Sequence, residues 1–240
     1  MKPCRSLLAV SVFFLAAACA PTVKPQMKEA TDRMLQEVRG GHDEPAPSSY
    51  DPKPWKQGQW VQWRSVDKNG QPSVSKLSVV EEGADGIWLE QVNQDYTGRT
   101  VTKILYSRMP TTPEEATDVV QKIITKKDDE EPQVMDLNDP SGPGQMMRGM
   151  MKSMMPSITW PRSPEGMPKE DVTVPAGSFR GVVKFPSTVQ AGPFTLRLTG
   201  WYHPAIPLGG SVKSQSDDGK ITTELLGYGD SGAQSVLDLK

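Results

Sequence analysis

Cysteine and histidine are almost missing from this chain of 240 residues, which carries two of each. A zinc site needs three or four converging ligands, and neither His42 nor His203 has a Cys, His or carboxylate at metal-ligand spacing. The nucleophile elbow GxSxG, the HExxH helix, the phosphate loop and the SxxK pair are absent as well. The acid pairs Glu81-Glu82 and Asp217-Asp218 fall in expected turns, where solvent exposure accounts for them. The sequence therefore predicts neither an enzyme nor a cofactor. Clustered Lys and Arg are also lacking, which excludes nucleic acid as a partner. No apolar run is long enough to cross a bilayer as a permanent helix. What the chain has is 22 Pro and 21 Gly among 36% hydrophobic and 23% charged residues, the composition of a turn-rich globular protein built on short strands.

The first residues read MKPCRSLLAVSVFFLAAACA. Lys2 and Arg5 form a basic n-region, Leu7 to Ala18 an apolar run of about a dozen residues, and Ala16, Ala17 and Ala18 lead into Cys19. Residues 1–18 are thus expected to be an export signal. The small-small-Cys ending resembles the lipobox of bacterial lipoproteins, although Ala16 stands where that family prefers Leu, with Leu15 one place earlier. The resemblance implies cleavage before Cys19, which becomes the new N-terminus and carries acyl chains, and hence a membrane anchor. Cys4 leaves with the signal, so Cys19 is the single cysteine expected in the mature chain. The absence of Asp at Ala20 implies transfer to the outer membrane in a Gram-negative host, with the soluble domain in the periplasm. Losing Lys2 and Arg5 moves the net charge from −2 to about −4.

Residues 19–57 read as lipidated Cys, tether, short helix and linker. Met27, Ala30, Met34, Leu35 and Val38 recur at helical spacing before Gly40-Gly41, and HDEPAPSSYDPKPW is Pro-rich and extended. Residues 58–240 are expected to form one domain. Strands are predicted at 58–66, 72–80, 86–92 and 99–107, separated by DKNGQ, EEGAD and NQDYTG turns. A second series is predicted at 171–175, 179–189, 194–203, 211–216 and 220–228, with Pro186 marking a bulge or an edge. Between them, Thr112-Pro113-Glu114-Glu115 reads as a helix start, and Ala116, Val119, Val120, Ile123 and Ile124 as one apolar stripe, predicting a helix from Pro113 to Lys127. The acidic run from Asp128 to Glu131 reads as a solvated exit. The predicted fold class is α+β: a curved antiparallel, half-barrel-like sheet with helices on its concave face.

The segments VPAGSFRG (174–181), WYHPAIPLGGSVK (201–213) and ELLGYG (224–229) resemble a pattern in exported bacterial proteins with an open antiparallel sheet. The order of anchor, helix, meander, covering helix and second meander resembles the half-barrel lipoprotein carriers LolA and LolB. No residue role carries over from that resemblance. It implies a concavity for an acyl chain or extended peptide, for which Trp60, Trp63, Trp88, Phe179, Phe194 and Trp201 are candidate linings, with ordinary core as the alternative. Three functions follow: an envelope carrier of a lipid or hydrophobic ligand, an assembly lipoprotein binding another envelope protein, and copper(I) binding through methionines.

The methionines concentrate in QMMRGMMKSMMP, residues 145–156. At about 100° per residue, Met146, Met147, Met150, Met151, Met154 and Met155 share one half of a helix, with Arg148, Gly149, Lys152 and Ser153 on the other. Such flexible thioethers suit varied apolar partners or a soft metal. Arg148 with Lys152 would favour anionic headgroups, while core packing explains the same pattern without either. The N-terminal reading is tested directly. Cys19→Ala should release the domain from membranes, since stable anchoring takes at least two acyl chains, and intact-mass measurement showing an unmodified Cys19 overturns the assignment.

Overall fold

The computed structural model describes residues 22–37, 41–110, 115–139, 144, 148, 166–191 and 194–239. Cys19 and the six methionines of residues 145–156 lie outside them. Helix α1 (Pro25–Gln36) precedes β1 (His42–Glu44), β2 (Trp60–Val66), β3 (Pro72–Gly83), β4 (Gly86–Asp95), β5 (Arg99–Tyr106), β6 (Val120–Lys127) and β7 (Gln133–Asp136). The second group comprises β8 (Lys169–Val174), β9 (Gly177–Ala191), β10 (Phe194–Tyr202), β11 (Ser211–Ser216) and β12 (Thr222–Gly229). All twelve strands belong to one curved, open sheet in the order β1-β9-β10-β11-β12-β2-β3-β4-β5-β6-β7, with β8 paired to β9.

The turn chemistry sets the hairpins. Asp67 Oδ1 accepts from the N–H groups of Asn69 and Gln71 at 2.8 Å each, closing β2 onto β3, and Asp95 Oδ1 does the same for Thr97 and Gly98 between β4 and β5. Such Asx turns replace a backbone partner by a short side chain. The two meanders join through β12 and β2, paired from Thr222↔Val66 to Gly229↔Trp60 with one irregularity after Leu225. Pro186 lies in continuous register opposite Thr199, beyond Val183, where the β8 pairing begins. It therefore marks a stretch of β9 with a single described neighbour, not a bulge, and its missing N–H interrupts no second ladder.

One expectation is corrected and another is not confirmed. The segment from Pro113 to Lys127 is not a helix: a 3-10 turn at Glu115–Thr117 leads into β6, which lies between β5 and β7. The doublets Val119-Val120 and Ile123-Ile124 fit a helical stripe, but they fit equally a strand covered on both faces. Five β-branched residues between 119 and 125 decide for the strand, because their restricted χ1 suits the pleat better than a helix turn. Ile123 packs against the main core cluster while Ile124 is buried in a second one. The other expectation, several helices on the concave face, is not confirmed. Among the described residues the one continuous α-helix is α1, with Gly144 and Arg148 the other helical positions, and Met27 of α1 meets Gln94 on the β4 face that carries Trp88 and Val92, opposite the face of Leu89 that joins the main core.

The sheet is also mixed, because β1 runs parallel to β9. The Pro-rich stretch after α1 is thus extended but attached. Gly177 (φ +140°) faces His42 so closely that a Cβ would collide with the His42 carbonyl oxygen. The Tyr228 hydroxyl donates to Glu44, and the His42 ring stacks on Tyr228 at 4.3 Å. Beside it, buried His203 accepts from Ala205 N–H at Nδ1, so its Nε2–H donates to the carbonyl of Pro45 at 3.2 Å. Desolvation holds the His203 pKa below 6.5.

Two outcomes follow for this corner. Gly177→Ala combines a positive φ with a backbone collision and should cost about 2–3 kcal/mol, read as a lowered denaturation midpoint; an unchanged midpoint would show that β1 is not docked as described. For His203, folded and unfolded forms are both neutral well above pH 6.5. As pH falls below that value the unfolded chain takes a proton that the folded chain resists, so stability should fall until the lower folded pKa is reached. Melting temperatures across pH 7.5 to 5 (about that range being needed for a group near 6.5) should show this slope, and His203→Gln should flatten it.

Candidate functional site

The four candidate tryptophans do not line one concavity. Trp60 and Trp63 are three residues apart on β2 and so point to opposite faces. Trp63 packs against the main cluster, its Nε1–H donating to the Ser211 carbonyl at 2.9 Å. Trp201 belongs to the same cluster, donates its indole N–H to Glu170, and has the ammonium groups of Lys184 and Lys213 at 5.2 and 5.4 Å from its ring. Trp60 and Trp88 share the other face of the β2–β4 sheet, with Lys76 and Lys103 at 5.2 and 5.1 Å from their rings. Phe179 is fully buried in the main core beside His203 and Tyr228. The Phe194 side chain lies outside the described residues.

The main-core face does present apolar surface toward β7. One lateral row runs through the ladders as Val79↔Leu89↔Ile104↔Ile123↔Met135. Val79 and Leu89 are buried, whereas Ile104, Ile123 and Met135 are only partly covered. Leu77 and Ile87, equally half-covered, flank this row on β3 and β4.

Arg148 corrects the reading of a basic helix face turned to headgroups. Its guanidinium donates to the carbonyls of Thr117 (2.9 Å), Val120 (3.1 Å) and Leu137 (3.3 Å), and to Asn138 Oδ1 at 3.4 Å. A planar fork of five donors suits this use, which leaves little of it for a lipid phosphate. Gly144 is buried, and a Cβ there would strike the carbonyl of Asp136. Gly144 and Arg148 are thereby held against the turns around β6 and β7.

Two clefts among the described residues are lined largely by charged and polar side chains. A cleft of about 650 Å³ between the start of α1 and the β4–β5 turn is lined by Lys24, Asn93, Asp95, Arg99, Lys127 and Asp128 among others. Lys24 bonds Asp128 at 2.8 Å and, with the Arg99 N–H, holds that carboxyl below its usual range. Another, of about 450 Å³, follows the exposed charged side of α1 through Lys28, Glu29, Asp32 and Arg33. No group of three or more His, Cys, Asp or Glu side chains that could hold a metal ion occurs among the described residues.

Sequence reasoning passed over Glu90 and Lys103. They stand directly opposite each other on β4 and β5, 2% and 3% exposed. Glu90 accepts from the Ser235 hydroxyl (2.7 Å) and from the N–H groups of Val236 (2.9 Å) and Leu237 (3.0 Å). Lys103 Nζ donates to the carbonyls of Leu237 (3.2 Å) and Leu239 (2.9 Å). Leu237 completes an apolar cluster with Val80, Trp88, Val92, Val101, Leu105 and Ile124. The signal was in the alternation: Trp88-x-Glu90-x-Val92 and Val101-x-Lys103-x-Leu105 each put a charge at the centre of an inward-facing apolar set.

No family model and no curated protein sequence matches this chain. Among solved structures it is similar to the hypothetical protein CT021 from Chlamydia trachomatis, at 8% identity and a TM-score of 0.40, covering 77% of this chain and 93% of that one. It is also similar to a protein from Parabacteroides distasonis ATCC 8503 described as a "putative lipoprotein", at 14% identity and a TM-score of 0.31, covering 73% of this chain and 97% of that one. Both likenesses are distant, and neither carries an argument about function.

Proposed function

We propose that this protein is a lipid-anchored lipoprotein of the bacterial envelope, held by acylated Cys19 at the outer membrane, whose sheet binds a lipid or other hydrophobic ligand in the periplasm. The observation that supports a hydrophobic ligand is the half-covered row of Ile104, Ile123 and Met135 on the main-core face, flanked by Leu77 and Ile87. Contiguous apolar surface of this kind is costly to leave in water and marks contact sites. No helix among the described residues is long and apolar enough to cross a membrane, and a lipid anchor on Cys19 would supply the attachment instead.

A second reading, an assembly lipoprotein that docks another envelope protein, draws on the β7 end of the sheet. There β7 has β6 as its one described neighbour, and Val134 is 60% exposed. Unpaired strand edges are templates for added strands.

The two readings separate experimentally. Protein carrying Cys19→Ala should copurify with lipid, and after delipidation should take up pyrene-labelled phosphatidylethanolamine from vesicles. Ile104→Gln with Met135→Gln should cut that uptake about tenfold, the loss of roughly 1.4 kcal/mol of contact, while the protein still melts cooperatively. Delipidated protein with no measurable lipid uptake ends the carrier reading; a discrete protein trapped by crosslinking through Val134 in cells would favour the assembly reading.

A further inference from the structure

The chain just before α1 is fixed to one end of the sheet. Lys24 donates its backbone N–H to the Tyr96 carbonyl in the β4–β5 turn at 2.8 Å and its ammonium to Asp128 in the β6–β7 turn at 2.8 Å. The Tyr96 hydroxyl in turn donates to Asp32 of α1 at 2.8 Å. The registers place both turns at the same end as the β2–β3 and β11–β12 turns: Val66 lies opposite Pro72 and Thr222, Gln94 opposite Arg99, and Thr100 opposite Lys127. The β3–β4 turn, between Gly83 and Gly86, belongs to the other end.

Covalent geometry limits where the near end can go. Cys19 precedes Lys24 by five residues, a reach of at most about 18 Å whatever path the chain takes. β3 has 12 residues, which at the usual strand rise separates the two ends of the sheet by about 40 Å. With acyl chains on Cys19 inserted in a bilayer, the β3–β4 turn is therefore not the end that meets it. α1 lies on the face of β4 opposite Leu89, so the tether also departs from the side of the sheet that does not carry the row of Ile104, Ile123 and Met135.

The near end suits headgroups and not hydrocarbon. Among the described residues, none of the large apolar side chains left exposed belongs to its turns at 67–71, 96–98, 128–132 and 217–221. Exposed there are Lys68, Arg99 and Lys127, whose donors fit lipid phosphates, and Asp129, Glu130 and Glu131, whose carboxylates fit ethanolamine ammonium groups. A surface of both signs matches a zwitterionic leaflet, whereas a purely basic cluster is the mark of binding to an anionic one.

We propose that the domain stands on its anchoring membrane on this end, with the four turns among phosphoethanolamine headgroups and the apolar row opening away from that leaflet. Ile104 follows Arg99 by five residues along β5, about 17 Å above the turns. The row is thus reached from the periplasm and not by sliding a lipid sideways out of the anchoring leaflet. This orientation rests on the lipid anchor at Cys19 and is independent of whether the row binds a ligand.

The test uses full-length acylated protein carrying Lys68→Cys or Asp129→Cys at the near end, or Asp85→Cys at the far end, all exposed positions. Cys4 leaves with the signal and Cys19 carries its acyl group, so a thiol-reactive donor dye marks the new position alone. The vesicles contain phosphatidylethanolamine, phosphatidylcholine and a rhodamine-labelled acceptor lipid. Energy transfer from positions 68 and 129 should be several-fold stronger than from position 85, which stands about 40 Å higher. Arg99→Glu with Lys127→Glu should roughly halve the transfer from position 68 by setting carboxylates against phosphates, and no reduction overturns the headgroup contact. Equal transfer from both ends means that the domain lies on a face of its sheet, and stronger transfer from position 85 means that it stands the other way up; either result overturns the proposal. Flotation with the vesicles separates the two readings. Protein that does not float because Cys19 is unmodified removes the anchor and the orientation together, whereas floating protein with equal transfer refutes the orientation alone.

Discussion

Two strand meanders, one from each half of the chain, become a single sheet because β12 pairs along its length with β2. Without that ladder the first group ends in an open edge at β2 and the second in an open edge at β12. Each of those edges would expose a row of unpaired N–H and C=O groups. The pairing is reinforced from the side chains: Arg64 donates to Glu224 through Nε (3.0 Å) and Nη2, Ser65 meets Thr223 at 2.8 Å, and Trp63 lies opposite Leu225 in the main core. Both N–H groups converge on Glu224 Oε2, a charge-assisted contact that favours this register. Because Leu225 and Tyr228 are buried in the same cluster as Val61, the ladder also brings the two halves of the core together.

A sheet of this size must cover two faces, and the protein does so unequally. The main-core face is filled by side chains of both meanders. On the opposite face α1 lies against β3 and β4 and segment 235–239 lies over β4 and β5, so irregular chain does part of the work that helices do in other α+β proteins. Irregular backbone cannot satisfy its own polar groups when it packs on a sheet. Glu90 and Lys103 supply that satisfaction, which explains why charges occupy positions that the alternation otherwise reserves for apolar residues.

Nine of the strands were legible in the sequence because their ends are written in turn chemistry: Asp67, Asn69 and Gly70 for one hairpin, Asp95 and Gly98 for another, Asp218 and Gly219 for a third. The short strands β1 and β7 were not legible, since three or four residues cannot establish a period. β6 was misread because paired β-branched doublets satisfy the helical and the two-faced strand pattern alike. Of the candidate site, the apolar character of Trp63, Trp88 and Trp201 was legible, but their grouping was not: which face a strand residue occupies relative to a distant strand depends on register and bulges, such as those beside Val80, Val212 and Leu226. The internal use of Arg148 was likewise invisible, because its acceptors are main-chain carbonyls that every sequence possesses.

The β12–β2 ladder has a temporal consequence. Arg64 and Glu224 stand 160 residues apart, so the contact that unites the sheet is among the last that a chain made from its N-terminus can form. Until β12 has emerged, β2 remains an unpaired edge with Trp60, Val61 and Trp63 on it. Loop-closure entropy must be overcome before such distant pairing is rewarded, and folds dominated by it are slow. While the chain is being made, the free edge of β2 thus stays on offer to any other chain nearby until β12 arrives, the situation in which intermolecular strand pairing competes with folding.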